Sequence, residues 1–139
     1  MPGGVFVDSS AWIALISRSD GRHRDARPLF EAALRKRIPL LTTNLVLAEV
    51  HRLQVFRVGP QAGARFLDRI DASPALEVVF PGRGHHERAR AWLARLADQR
   101  VSYTDAVSFA VMDVARCTAA LAFDRHFDLA GFRLWRSPR

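Results

Sequence analysis

Short apolar runs alternate with helix-forming segments along nearly the whole chain, and this alternation is what most constrains the fold. Gly4-Val5-Phe6-Val7 is a buried-strand pattern that stops at Asp8, after which Ser9-Ser10 offers N-caps for a helix over Ala11 to Ile16. Past the polar turn Ser17 to Gly21, Ala26, Leu29, Phe30, Ala33 and Leu34 recur at helical spacing, which predicts a helix from about His23 to Arg37 with Pro28 in or near its first turn. Pro39 to Thr43 reads as a second strand. Asn44 follows as the N-cap of a helix reaching about Phe56, in which Glu49 interrupts an apolar stripe. Gly59-Pro60 precedes a helix to about Ile70, Ala75 to Phe80 gives a third strand, and a further helix is expected over roughly His85 to Gln99. Thr104 to Ala115 is apolar nearly all round and predicts a buried central helix. Thr118 to Phe123 is a fourth strand ending at Asp124, and Phe132 to Trp135 suggests a short last one.

Strands alternating with helices imply an α/β fold, a parallel sheet covered on both faces and joined by right-handed crossovers. In such sheets ligands collect beyond the carboxyl ends of the strands. Asp8 and Asp124 directly follow strands, and Glu49 and Asp105 lie early in helices that can start at the same edge. The pattern therefore brings four acids together.

Taken singly, each acid has a structural role open to it. Asp8 can cap a helix, Glu49 can pair with Arg52, Asp105 completes a Ser102-x-x-Asp capping box, and Asp124 can hold a turn. Jointly they repel one another, and a divalent cation is what would neutralise them. An all-oxygen ligand set suits Mg²⁺ or Mn²⁺, whereas zinc usually recruits His or Cys and no histidine stands at ligand spacing with another beyond the neighbours His85-His86, expected to be solvated. Two hard cations about 3.5–4 Å apart can activate water and stabilise the leaving oxygen of a phosphoryl displacement. Ser10, Thr43, Asn44 and Thr104 are placed to orient a carboxylate, water or phosphate, although helix capping serves each as well. Arg125 and His126 follow Asp124 and are candidates to touch substrate. Arg22, His23 and Arg24 share that ambiguity between contact and solvated loop.

The 139 residues make one expected domain and include 20 arginines but a single lysine, Lys36, against 14 acids, for a formal charge of +7. That excess suits a polyanionic partner and favours a nuclease over a small-molecule phosphatase. The one cysteine, Cys117, excludes an internal disulfide and a thiolate-rich metal site and is expected in the core. No apolar run approaches the ~18 residues a membrane span needs, and the stretch from Met1 to Val7 lacks the regions of a signal peptide, so a cytoplasmic protein is expected. Trp12 and Trp92 are expected in the core, and Trp135, between Arg133 and Arg136, is the better candidate for an exposed base contact.

Four segments in order, Val5-Phe6-Val7-Asp8-Ser9-Ser10, Thr42 to Val50, Ser102-Tyr103-Thr104-Asp105-Ala106 and Phe123-Asp124-Arg125-His126-Phe127, make the chain resemble the PIN-domain family, and within it the VapC-type toxins of toxin–antitoxin pairs. The resemblance covers almost the whole chain. It implies a three-layer α/β/α sandwich and a Mg²⁺- or Mn²⁺-dependent endoribonuclease, usually a homodimer and neutralised by a VapB-type antitoxin. By motif it assigns catalysis and metal binding to Asp8, Glu49, Asp105 and Asp124, with Asp128 able to replace or assist Asp124, and products carrying a 5′-phosphate and a 3′-hydroxyl. Competing readings are a housekeeping RNA-processing nuclease of the same fold and a PIN-like module that binds RNA or protein without cutting. A haloacid-dehalogenase-type phosphatase would need a second aspartate where Ser10 stands, and a receiver domain would need a late lysine.

Overall fold

Strand β1 (Val5–Val7) lies at the centre of a five-stranded sheet ordered β3-β2-β1-β4-β5, every pairing parallel. The computed structural model describes residues 4–136, so the expectation for the stretch from Met1 lies partly outside the described residues. Val5 is in register with Leu40 of β2 (Leu40–Thr43) on one side and with Ala119 of β4 (Ala119–Leu121) on the other. β3 (Leu76–Val79) and β5 (Arg133–Leu134) form the edges. The residues of β1, β2 and β4 are all buried, as strands covered on both faces must be.

The strand order dictates where the helices go. The chain steps outward from β1 to β2 to β3 through α1 (Ser9–Ile16), α2 (His23–Arg35), α3 (Asn44–Arg57) and α4 (Pro60–Asp71), and these pack on one another. It then crosses back over the sheet to β4 through α5 (Arg83–Arg95) and α6 (Tyr103–Ala115), and continues outward through α7 (His126–Leu129) to β5. Reversing direction with the same crossover hand puts α5, α6 and α7 on the opposite face, giving three layers. The reversal leaves a crevice beyond the carboxyl end of β1.

Each face has its own aromatic core. Trp12 lies against Phe30 and Phe66 with ring centroids 5.2 and 6.1 Å apart, and its indole N–H donates to Thr42 Oγ1 at 3.4 Å. Across the sheet, Phe109 packs edge-on to Phe127 at 5.2 Å and to Trp92 at 5.3 Å, and Phe6 meets Phe127 at 5.9 Å. Helix α6 is buried without a break from Asp105 to Met112, as its sequence requires. It ends at Arg116, whose φ of 59° closes it in the left-handed conformation.

Several boundaries differ from the sequence expectation. The cap of α1 is Asp8, whose carboxylate accepts from the Ser10 N–H at 3.3 Å, so Ser9 and Ser10 are already helical. Thr43, not Asn44, caps α3: its hydroxyl accepts from the Val46 N–H at 3.2 Å and Asn44 is the first helical residue. Pro28 falls one turn deeper in α2 than expected. The carbonyl it leaves unbonded four residues back belongs to Arg24, an exposed residue, where water can satisfy it. Trp135 is 7% exposed and belongs to the core, because parallel pairing of β5 with β4 carries it back over the sheet. Trp12, Trp92 and Cys117 are buried as expected, while His85 and His86 are half-buried: His85 Nδ1 accepts from the Gly82 N–H and His86 Nδ1 lies 2.9 Å from the Tyr103 hydroxyl. Among the described residues no helix is long and apolar enough to cross a membrane.

Helices α3 and α4 approach most closely at Gly63, where an added Cβ would stand 2.7 Å from Val55 Cγ2 and 2.9 Å from the His51 ring. Gly63→Ala is therefore expected to lower stability by about 1–3 kcal/mol in urea unfolding, since the helices must separate to admit one methyl group. A midpoint equal to the parent's would show that this contact yields freely.

Candidate active site

Two strand ends and two helices build one acidic crevice. Asp8 leaves β1 with 1% of its surface exposed, and Ser10 fixes it: the Ser10 hydroxyl donates to Asp8 Oδ2 at 2.9 Å and accepts from the Phe123 N–H at 3.0 Å. One side chain thus ties the β1–α1 junction to the segment following β4. Asp105 is held by a reciprocal box at the start of α6, its N–H donating to Ser102 Oγ at 3.1 Å and its Oδ2 accepting from the Ser102 N–H at 3.3 Å. Asp124 accepts the His126 N–H through Oδ1 at 3.0 Å, which shapes the turn into α7. Glu49 projects from α3 and is exposed, where the sequence stripe suggested a half-buried position, yet it still feels the charges of Asp105 and Asp124.

Crowding shows in the proton affinities. Burial, a hydrogen bond shared with Asp124 and the charge of Asp124 raise the Asp8 pKa well above the ordinary carboxylate value, against the lowering effect of Ser10. Desolvation, then repulsion by Asp105 and Asp124, raises Glu49. Asp105 is raised by burial, only partly offset by the nearby His126 and the Ser102 hydrogen bonds.

His126 is the member that sequence reasoning placed otherwise, as a substrate contact. Its Nδ1 lies 2.8 Å from Asp105 Oδ2 and 3.8 Å from Asp124 Oδ1, and it is a buried nitrogen without an aligned hydrogen bond. Asp105, Asp124 and His126 offer ligand atoms all within 4.8 Å of one another. A divalent cation fits this set: crowded carboxylates, and an imidazole nitrogen that lies beside them without an aligned hydrogen bond, are groups a cation would satisfy together. The i, i+2 spacing of Asp124 and His126 around a helix start was the available signal.

The remaining candidates separate. Asn44 Oδ1 is buried with no hydrogen-bond partner. The contact made by Thr104 is through its carbonyl, which accepts from Ser108 Oγ at 3.0 Å. Asp128 and Arg125 are exposed and line a cleft with Asp124, and Asp128 is not part of the Asp105–Asp124–His126 group. His23 serves the fold, its Nδ1 lying 2.8 Å from the Ala14 carbonyl. A cavity of about 600 Å³ with mostly apolar lining, among α1, α2, α4 and the β2–β3 edge, touches none of Asp8, Glu49, Asp105 and Asp124.

A doubly wound α/β protein with an acidic centre at its carboxyl edge, of a kind that could hold a metal ion, is the class these features define. The family model of the PIN domain matches residues 5–133, and the chain belongs to that family. It is similar to the 23S rRNA-specific endonuclease VapC20 of Mycobacterium tuberculosis, known from two strains, with 36% identity over 128 residues, 92% of this chain and 95% of that protein. The crystal structure of the same organism's VapC20, described as a sarcin–ricin loop cleaving toxin, superimposes with a TM-score of 0.84 at 35% identity, covering 95% of this chain and 98% of that one.

Because Asp8, Glu49 and Asp105 bind protons more tightly in the folded protein than in the unfolded chain, their contribution to stability falls as pH rises through the raised folded values. In chelator, the melting temperature should fall from mildly acidic to neutral pH. Asp8→Asn keeps a capping side chain and removes the charge, so it should raise the neutral melting temperature by about 3–6 °C and flatten the profile. A neutral melting temperature equal to the parent's would mean that Asp8 is not held against its own charge.

Proposed function

We propose that this chain is a divalent-metal-dependent endoribonuclease, the toxin of a VapBC-type pair. The observation that carries the reading is the convergence of Asp8, Glu49, Asp105 and Asp124 from distant parts of the chain onto one crevice of a protein bearing a formal charge of +7. Acids gathered at a protonation cost and surrounded by arginine suit a negatively charged substrate whose reacting group meets a cation. Similarity over nearly the full length to an endonuclease that acts on 23S rRNA supports RNA as the substrate, with a structured ribosomal loop as the class to test first.

Asp8, Glu49, Asp105 and Asp124 would hold Mg²⁺ or Mn²⁺, with His126 completing the set and Asp128 assisting from the cleft. When bound, the ion supplies charge neutralisation at the scissile phosphate and a water made acidic enough to be a nucleophile at neutral pH. The protein residues supply placement. Ser10 aims Asp8 and tethers the backbone of Phe123 to it, and the Ser102 box fixes the rotamer of Asp105. Glu49, exposed on α3, is the acid free to adjust when the crevice fills. A VapB-type antitoxin as partner, a homodimer as the assembled form and a cytoplasmic site of action belong to the same proposal.

Purified protein freed of any co-purifying partner should cut RNA into discrete fragments with Mg²⁺ or Mn²⁺ and not with EDTA. Asp105→Asn should lower the rate by about a hundred-fold or more, the scale of losing charge stabilisation at a reacting phosphate. Folded parent protein that leaves total RNA and ribosomes intact under every metal would end the nuclease reading. Without any substrate, Mn²⁺ should also raise the melting temperature of the parent by mass action, and do so much less in Asp105→Asn.

A further inference from the structure

Beside the acids, a cleft of about 530 Å³ opens between the amino-terminal part of α2 and the β4–α7 turn, and Asp124 forms part of its wall. Its size is that of a small-ligand site. Arg22, Arg24, Arg125 and Arg136 converge on it from three separate stretches of chain, and all four are exposed. The apolar part of its lining is Pro28, Leu29, Phe123 and Leu134. Two of the arginines are organised by one ring: the guanidinium carbon of Arg22 lies 5.8 Å from the Phe123 centroid and that of Arg136 lies 5.4 Å from it. Arg136 is further anchored through the carbonyls of Trp135 and Ala122 at 2.7 and 3.4 Å. Opposing charge within the cleft comes from Asp25, Asp128 and Asp124; Asp25 pairs at 3.4 Å with Arg22 in a largely exposed contact, and Asp124 faces the other acids.

We propose that this cleft is the subsite for the nucleotide adjoining the scissile phosphate, taking an unpaired RNA base on the apolar part of its lining and the neighbouring phosphate on Arg22 and Arg136. The inference rests on the ribonuclease reading and adds to it where the strand runs. Two features argue for RNA over an acidic protein segment. An apolar lining beside cationic groups is matched to a planar base joined to a phosphate, and guanidinium groups offer flat faces for a base to stack on. The shared wall at Asp124 also puts the cleft within one nucleotide of the reacting centre. Phe123 is a positioning residue, since its ring holds both guanidiniums while its N–H rests on Ser10, the residue that orients Asp8.

The test measures binding of a short fluorescein-labelled single-stranded RNA in EDTA over a salt series, with cleavage in Mn²⁺ followed in parallel. The pair Arg22→Gln with Arg136→Gln should weaken binding about ten-fold near 0.1 M salt and reduce the slope of log affinity against log salt by about 1.4, two phosphate contacts at roughly 0.7 each. Leu134→Trp, which fills the apolar part of the cleft without altering charge, should weaken binding and leave the slope alone. Arg57→Gln with Arg65→Gln removes the same charge from exposed positions on α3 and α4 outside the cleft and should change neither. A cleft pair indistinguishable from this control pair overturns the subsite and turns the cleft over to a protein partner. Parent protein that neither binds nor cuts RNA overturns the ribonuclease reading instead, so the two failures are told apart.

Discussion

A carboxylate buried against another carboxylate is the constraint on which the rest of this structure turns. Asp8 has almost no exposure, shares a hydrogen bond with Asp124 and has Asp105 nearby, an arrangement that costs free energy in the absence of a cation. The surrounding fold is stable enough to impose it. β1 is fixed by β2 and β4, which hydrogen-bond to it on both sides, and by aromatic cores on both faces, so its last residue has nowhere else to go. Proteins store strain of this kind where a ligand later relieves it.

The fold was legible in the sequence because its signals are local. β1, β2 and α6 read directly, since a strand covered on both faces is continuously apolar and a buried helix is apolar all round. The four acids were legible for the same reason: each breaks an apolar pattern. What escaped depends on three-dimensional register. Thr43 and Asn44 are both competent caps, and only the point at which β2 stops chooses between them. Trp135 looks like a surface residue between two arginines until the pairing of β5 with β4 turns it inward. Helix α7 is too short to leave a periodic trace, so neither it nor the place of His126 beside Asp105 could be read. The contacts of Arg22 and Arg136 with Phe123 join residues about a hundred and about a dozen positions apart, which no spacing rule anticipates.

Ser10 carries more of the site than its size suggests. One hydroxyl uses its proton on Asp8 and a lone pair on the backbone of Phe123, so the first acid and the segment that carries the fourth move as one piece. The neighbouring Ser102 performs the equivalent task for Asp105 within a single helix turn. Glu49 has no such brace and is exposed. The crevice is thus rigid on three sides and adjustable on the fourth, a division that suits a site closing on a flexible polymer.

The sheet order also sets when the crevice comes into being. β1 pairs with β2 on one side, but its second neighbour, β4 (Ala119–Leu121), comes far later in the chain, and Asp124 follows it. A nascent chain can form the β1–β2–β3 half with its helices while the gap beside β1 stays open and Asp8 and Glu49 face no partner. Long-range pairing of this kind is the slow part of folding. The acidic centre is therefore complete only once β4 and the segment carrying Asp124 have docked beside β1, so its assembly is tied to the most distant pairing in the sheet.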